Sequence, residues 1–139
     1  MAASKVHAAV QVNIAYELRR LTTYRIYTEL SIMIDGVEYK PDISVYPYQP
    51  LDKKHDIIKM EELPLCAIEI VSHAQLPQFI VTKIEAYLNA GAGIHSCWMV
   101  LPYPTTITIY TANTEQMFIE GNILDSVLKI EIPIENVWH

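Results

Sequence analysis

Nothing in the 139 residues approaches the roughly 20 consecutive uncharged apolar positions that a bilayer-crossing helix requires. A membrane-spanning helix is thereby excluded, although 51% of the residues are hydrophobic, and that apolar excess belongs to a core or an interface. Cysteine is scarce: Cys66 and Cys97 are the two present, each inside an apolar run (LCAIEI and SCWMVL), where a thiol behaves as a small buried hydrophobe. A structural disulfide is not expected. Cations are scarce too, ten lysines and arginines against 16 acids for a net charge of −6. Nucleic-acid affinity spread over the whole surface needs many phosphate-neutralising cations, so any such contact must be local. The opening MAASKVHAAVQVN has one lysine and no long apolar stretch, unlike a signal peptide, and a cytoplasmic location is expected. The length suits one domain and does not hold two.

What is present reads as alternating helix and strand. Val6, Val10, Ile14, Leu18 and Leu21 recur every three or four residues, which predicts an amphipathic first helix with Ser4 as its N-cap. Tyr24 to Ile34 (YRIYTELSIMI) is aromatic and β-branched and predicts one strand, closed by the Asp35-Gly36 turn and paired with a second arm over Tyr39 to Tyr46. Residues 47–64 carry three prolines and the charge-rich LDKKHDIIKMEE, which predicts a long surface loop. Leu65 to Val71 is nearly all apolar and of strand length, as expected of a central strand covered on both faces. A second helix is expected from Pro77 to Asn89, stopped by Gly91. Ser96 to Leu101 and Thr106 to Thr111 form a hairpin across PYPT, and Gln116 to Glu120 with Val127 to Ile132 extend the sheet. The expected class is α/β or α+β: helix, three strands, helix, then further strands in a mixed sheet flanked by helices.

One residue disturbs this pattern. Glu69 is the single charge in LCAIEIV, and burying a lone carboxylate costs several kcal/mol unless a cation or hydrogen bonds compensate, so Glu69 needs a partner. Asp42, after Pro41 on the preceding strand, supplies a second carboxylate that strand pairing can bring beside it. Two carboxylates in one place suit Mg2+ or Mn2+, hard cations that keep several waters and engage phosphate oxygens. The plainer alternatives are an arginine partner for Glu69 and a surface strand end for Asp42.

Pro41-Asp42, followed after 27 residues by an acid on an apolar strand, resembles the PD-(D/E)XK nuclease superfamily. The usual lysine two places after the acid is missing, position 71 being Val71. The run Glu69-Ile70-Val71-Ser72 with Lys83, Tyr87, Gly91, Trp98 and Pro102 is similar to one branch, the Uma-two family of restriction-endonuclease-like proteins abundant in cyanobacteria. The likeness extends from His7 onward. It implies a restriction-endonuclease-like core and a metal-dependent endonuclease cutting DNA, with Asp42, Glu69 and the Ile70 carbonyl on a Mg2+ or Mn2+ ion. The catalytic lysine has moved to the following helix in that family, where Lys83 stands. Water would be the nucleophile. His7 matches a recurrent histidine, or it caps or packs the helix. Glu29 would be a third acid, or a strand residue facing outward, and Ser72 a support for Glu69. Lys83 could equally be a solvated helix lysine.

DNA contact would fall to Arg19, Arg20 and Arg25 near the first helix and Lys53 and Lys54 in the loop, unless these form an ordinary solvated face. The sequence departs from the family pattern at Phe79, where aspartate is common, at Leu101, where an acid often precedes the proline, and at His73, where the family often has proline. The likeness also implies an N-terminal extension with an acidic residue ahead of the first helix, which this sequence is expected to lack. The alternative to an active nuclease is an inactive nuclease-fold subunit for binding or assembly. A homodimer is expected, with the tyrosine-rich strands as a possible contact face.

Overall fold

A computed structural model describes residues 4–21, 23–72, 77–90 and 93–139. Helix α1 spans Lys5–Arg20, and the Ser4 side chain accepts the His7 N–H at its start, as expected of an N-cap. Its inward stripe of Val10, Ile14 and Leu18 is buried. Burial of each is worth about 2 kcal/mol, more than the helix propensity of any single residue. Eleven strands follow among the described residues: β1 Tyr24–Thr28, β2 Ser31–Ile34, β3 Val37–Tyr39, β4 Ile43–Pro47, β5 Lys59–Met60 and β6 Cys66–Ile70 before helix α2, Pro77–Leu88. After it come β7 Ser96–Leu101, β8 Thr106–Tyr110, β9 Glu115–Phe118, β10 Asn122–Asp125, β11 Ile130–Pro133 and helix α3, Glu135–Trp138. Gly91, the expected helix stop, and His73 lie outside the described residues.

A six-stranded mixed sheet, ordered β1-β4-β6-β7-β8-β9, divides the molecule into two apolar layers. On one face, Val10, Ile14 and Leu18 of α1 pack with Ile43, Ile68, Ile70 and Trp98 of the sheet and with Ile123, Ile132 and Val137 of the C-terminal segment. On the other, Ile80, Ile84 and Tyr87 of α2 pack with Tyr46, Ala67, Val71, Cys97 and Met99, and with Ile32 and Ile34 of β2. Strand β6 is parallel to β7 and antiparallel to β4, and all five of its residues are buried. The near-continuous apolar run is explained by this two-sided burial.

Three expectations require correction. The segment from Tyr24 to Ile34 is two strands, because Glu29 adopts a positive φ of 53° and turns the chain out of the sheet. Strand β1 pairs with β4 in the main sheet, whereas β2 pairs with β3 and β5 in a separate three-stranded sheet. The Asp35-Gly36 hairpin is real but short, joining Ile34 to Val37 with φ of 50° and 79°, the left-handed pair that a tight two-residue turn demands. Between the two helices there are therefore six strands before α2 and not three, one of them the short β5 inside the expected loop. Finally, β9 extends the main sheet, but β10 and β11 form their own two-stranded sheet over the α1 face. The tyrosines of the early strands are spent internally: Tyr24 donates to the Leu128 carbonyl at 2.6 Å, Tyr46 to the Glu62 carbonyl at 2.7 Å, and the Tyr27 ring meets Tyr46 edge-on.

Candidate active site

Antiparallel pairing of β4 with β6 sets Ile43 opposite Ile68, and continuing that register by one residue sets Asp42 opposite Glu69. Asp42 lies just outside the ladder, so its carboxylate Oδ2 accepts the Ile70 N–H at 2.7 Å where a backbone carbonyl would otherwise do so. The same oxygen lies 3.2 Å from Nε2 of His7, one turn into α1. These contacts leave Oδ1 without a hydrogen bond among the described residues.

Glu69 alternates with Ala67 and Val71 onto the α2 face and is 3% exposed. Lys83 and Tyr87, four residues apart on one side of α2, converge on it. Lys83 Nζ stands 3.6 Å from Oε1, and the Tyr87 hydroxyl donates to Oε2 at 2.6 Å. Burial is the largest influence on the Glu69 carboxyl and raises it from 4.5 to about 7; Lys83 and Tyr87 oppose that rise and Asp42 adds to it. Asp42 is also raised, mainly by burial, against the lowering effects of the Ile70 amide, His7 and Lys83. Two desolvated carboxylates that repel each other, with one ammonium 3.6 Å from Glu69, form a site that favours added positive charge.

Five of the residues named from the sequence meet here: His7, Asp42, Glu69, Ile70 and Lys83. Glu29 reaches the site through its main chain, its N–H donating to the Asp42 carbonyl at 3.0 Å, while its carboxylate turns outward to Gln11. Ser72, half-buried, follows the end of β6. The five other cations lie elsewhere. Arg19 and Arg20 are 12 and 13 residues along α1 from His7, roughly 18 to 20 Å at the rise of a helix. Arg20 is also paired with the buried Glu17 at 3.1 Å. Arg25 sits opposite Tyr46, donates to the Gln49 carbonyl and lies over the Tyr48 ring. Lys53 and Lys54 are exposed in the loop. Of the six cations considered, Lys83 alone serves the site.

Sequence reasoning quoted Tyr87 without assigning it a contact, although its spacing of four from Lys83 was the available signal. It also missed Asp125. That buried carboxylate accepts from Ser96 Oγ, Trp98 Nε1 and the amides of Val127 and Leu128, stapling the β10–β11 hairpin to the central strand β7.

Residues 1–135 match the family described as "Uma2: Putative restriction endonuclease". The chain belongs to the Uma2 family. A solved structure from Anabaena variabilis, described as a "putative nuclease", superposes on this Uma2 chain with a TM-score of 0.81 at 20% identity, over 99% of this chain and 83% of that one. At that identity the likeness bears on the fold, a mixed sheet covered by helices. No curated protein matches.

The donor set fits a hard divalent cation. Among the described residues no three histidines, cysteines or acids gather into a cage of their own. An ion held by Asp42 and Glu69 would therefore complete its shell with a backbone carbonyl, water and phosphate oxygen, the manner of Mg2+ rather than of a caged zinc.

Proposed function

We propose that the protein is a Mg2+- or Mn2+-dependent endonuclease that hydrolyses DNA phosphodiester bonds at the β4–β6 end of the sheet. The observation that carries this reading is the approach of Lys83 to a buried Glu69 that faces Asp42 across the strand pair. Asp42, Glu69 and the Ile70 carbonyl would hold the ion. When bound, it would supply a Lewis acid for the phosphodiester and acidify a water for attack. Asp42 is positioned for this by the Ile70 amide and by His7, which restrict its carboxylate to one orientation. Lys83 is 26% exposed, so its ammonium can reach both the buried acid and a bound phosphate, where it would orient the attacking water and offset charge in the transition state.

Purified protein is incubated with supercoiled plasmid and either metal. Nicking is expected, abolished by Asp42→Ala and Glu69→Ala, and reduced about 100-fold or more by Lys83→Ala. Nicking that persists unchanged in the two acid variants overturns the assignment.

A second reading, an inactive subunit for binding or assembly, is favoured by one observation: both Glu69 oxygens already have partners in Lys83 and Tyr87. Calorimetry separates the two, since Mn2+ heat that disappears in Glu69→Ala counts against inactivity. The proposal extends to a twofold homodimer, which light scattering at several concentrations tests, a strict monomer overturning it.

A further inference from the structure

Tyr87 is fully buried, 0% exposed, yet it carries a hydroxyl into an apolar layer. A buried phenol is retained where its O–H has a strong acceptor, and here the acceptor is a carboxylate oxygen of Glu69 at 2.6 Å. The ring itself is fixed by Tyr39, whose plane meets it edge-on with centroids 5.4 Å apart. Contacts to the two Glu69 oxygens differ in kind. Lys83 approaches Oε1 at 3.6 Å on a flexible, partly exposed stem, whereas the Tyr87 bond is short, dry and rigid. An ammonium drawn toward a phosphate holds Oε1 less firmly, and of these two contacts the phenol is then the one that still restrains the carboxylate.

We infer that Tyr87 is the positioning residue of the site: its hydroxyl locks Oε2 and so holds the carboxylate in place, leaving Oε1 for the incoming ligand when Lys83 turns to a phosphate. This rests on the nuclease reading for its consequence in catalysis but not for its geometry. Partners that orient a ligating carboxylate typically matter 10- to 100-fold in metal affinity or activity.

The test compares wild type with Tyr87→Phe, which keeps the ring and removes the donor, and with 4-aminophenylalanine at position 87, which restores an N–H donor at the same place. Tyr39→Phe, a change of equal size on the neighbouring ring, is the control. Crystals of metal-free protein are expected to show Glu69 in a changed rotamer in Tyr87→Phe and in the original one in the control and the amino variant. With Mn2+, Tyr87→Phe is expected to bind about tenfold more weakly and to lose about tenfold or more in kcat at saturating metal, with KM for plasmid held, both recovering in the amino variant. An unmoved Glu69, or Mn2+ affinity and kcat within twofold of wild type, overturns the inference. A wild type that takes up no Mn2+ while Glu69 still swings in Tyr87→Phe sinks the nuclease reading and leaves Tyr87 as the restraint.

Discussion

Glu69 illustrates how one side chain can tax the fold that contains it. Its carboxyl is raised from 4.5 to about 7 in the folded chain, so between those values the folded protein holds a proton that the unfolded chain has released. Stability of the metal-free protein must then fall as pH rises from 4.5 to 7, by roughly 3 kcal/mol in all if the unfolded group titrates normally. Asp42 is displaced in the same direction and adds to the slope. Denaturant midpoints measured across that range are expected to decline for wild type and to flatten in Glu69→Gln, which is also the more stable protein at pH 8. A midpoint rising with pH in wild type would contradict the burial argument. Divalent metal should reverse the trend, because an ion held by the ionised acids recovers their desolvation cost. Added Mn2+ is expected to raise the thermal midpoint at pH 8 and to leave it unchanged at pH 5, where Glu69 stays protonated.

At the scale of elements, the C-terminal hairpin depends on one carboxylate. Asp125 satisfies two side-chain donors on β7 and two amides of its own turn, all in a buried setting. Asp125→Ala leaves those four donors unpaired and is expected to cost about 3 to 5 kcal/mol, read as a lower denaturant midpoint. Asp125→Asn should lose less, since one acceptor oxygen remains. Elements with a strong period were legible from sequence: α1 with its Ser4 cap, the apolar β6, the β7–β8 hairpin and the extent of α2. What was not legible depended on tertiary pairing. Nothing local in YRIYTELSIMI marks Glu29 as left-handed, since the residue carries no glycine signal and the turn is imposed by its amide bonding the Asp42 carbonyl. Likewise β10 and β11 have the composition of main-sheet strands, and it is the Asp125 staple and the short α3 that hold them elsewhere. Helix α3 is itself docked by Asn136 to Glu17 and by Asn13 to the Val137 carbonyl, contacts more than 100 residues apart. For the candidate site, a lone charge in an apolar strand pointed to Glu69, whereas the spacing of Tyr87 from Lys83 put the two on one side of a helix without saying which group the hydroxyl meets.

Over the whole molecule, charge is the governing constraint. With a net charge of −6, and with Lys83 at the site while Arg19, Arg20, Arg25, Lys53 and Lys54 lie elsewhere, binding is expected to draw on few cations. If DNA is the substrate, few counterions should be released. The logarithm of affinity against the logarithm of salt concentration is expected to have a slope of about −2 to −3, corresponding to two or three neutralised phosphates. Fluorescence anisotropy of a labelled duplex between 50 and 200 mM salt, about the range over which such slopes are resolved, checks this. A slope steeper than about −6 would require a basic surface that these residues do not form.

The pairing of Asp42 with Glu69 rests on a count of residues. Along β6 successive side chains alternate between the two apolar layers, so adding one residue after Ile68 would carry the acid round to the α1 layer and away from Lys83 and Asp42. The same addition beside Lys53, in the exposed loop that joins β4 to β5, leaves that alternation intact. Lineages of this fold should therefore vary in length between their strands and keep parity within them, a record that a pair of single-alanine insertions, one at each place, would reproduce in the laboratory.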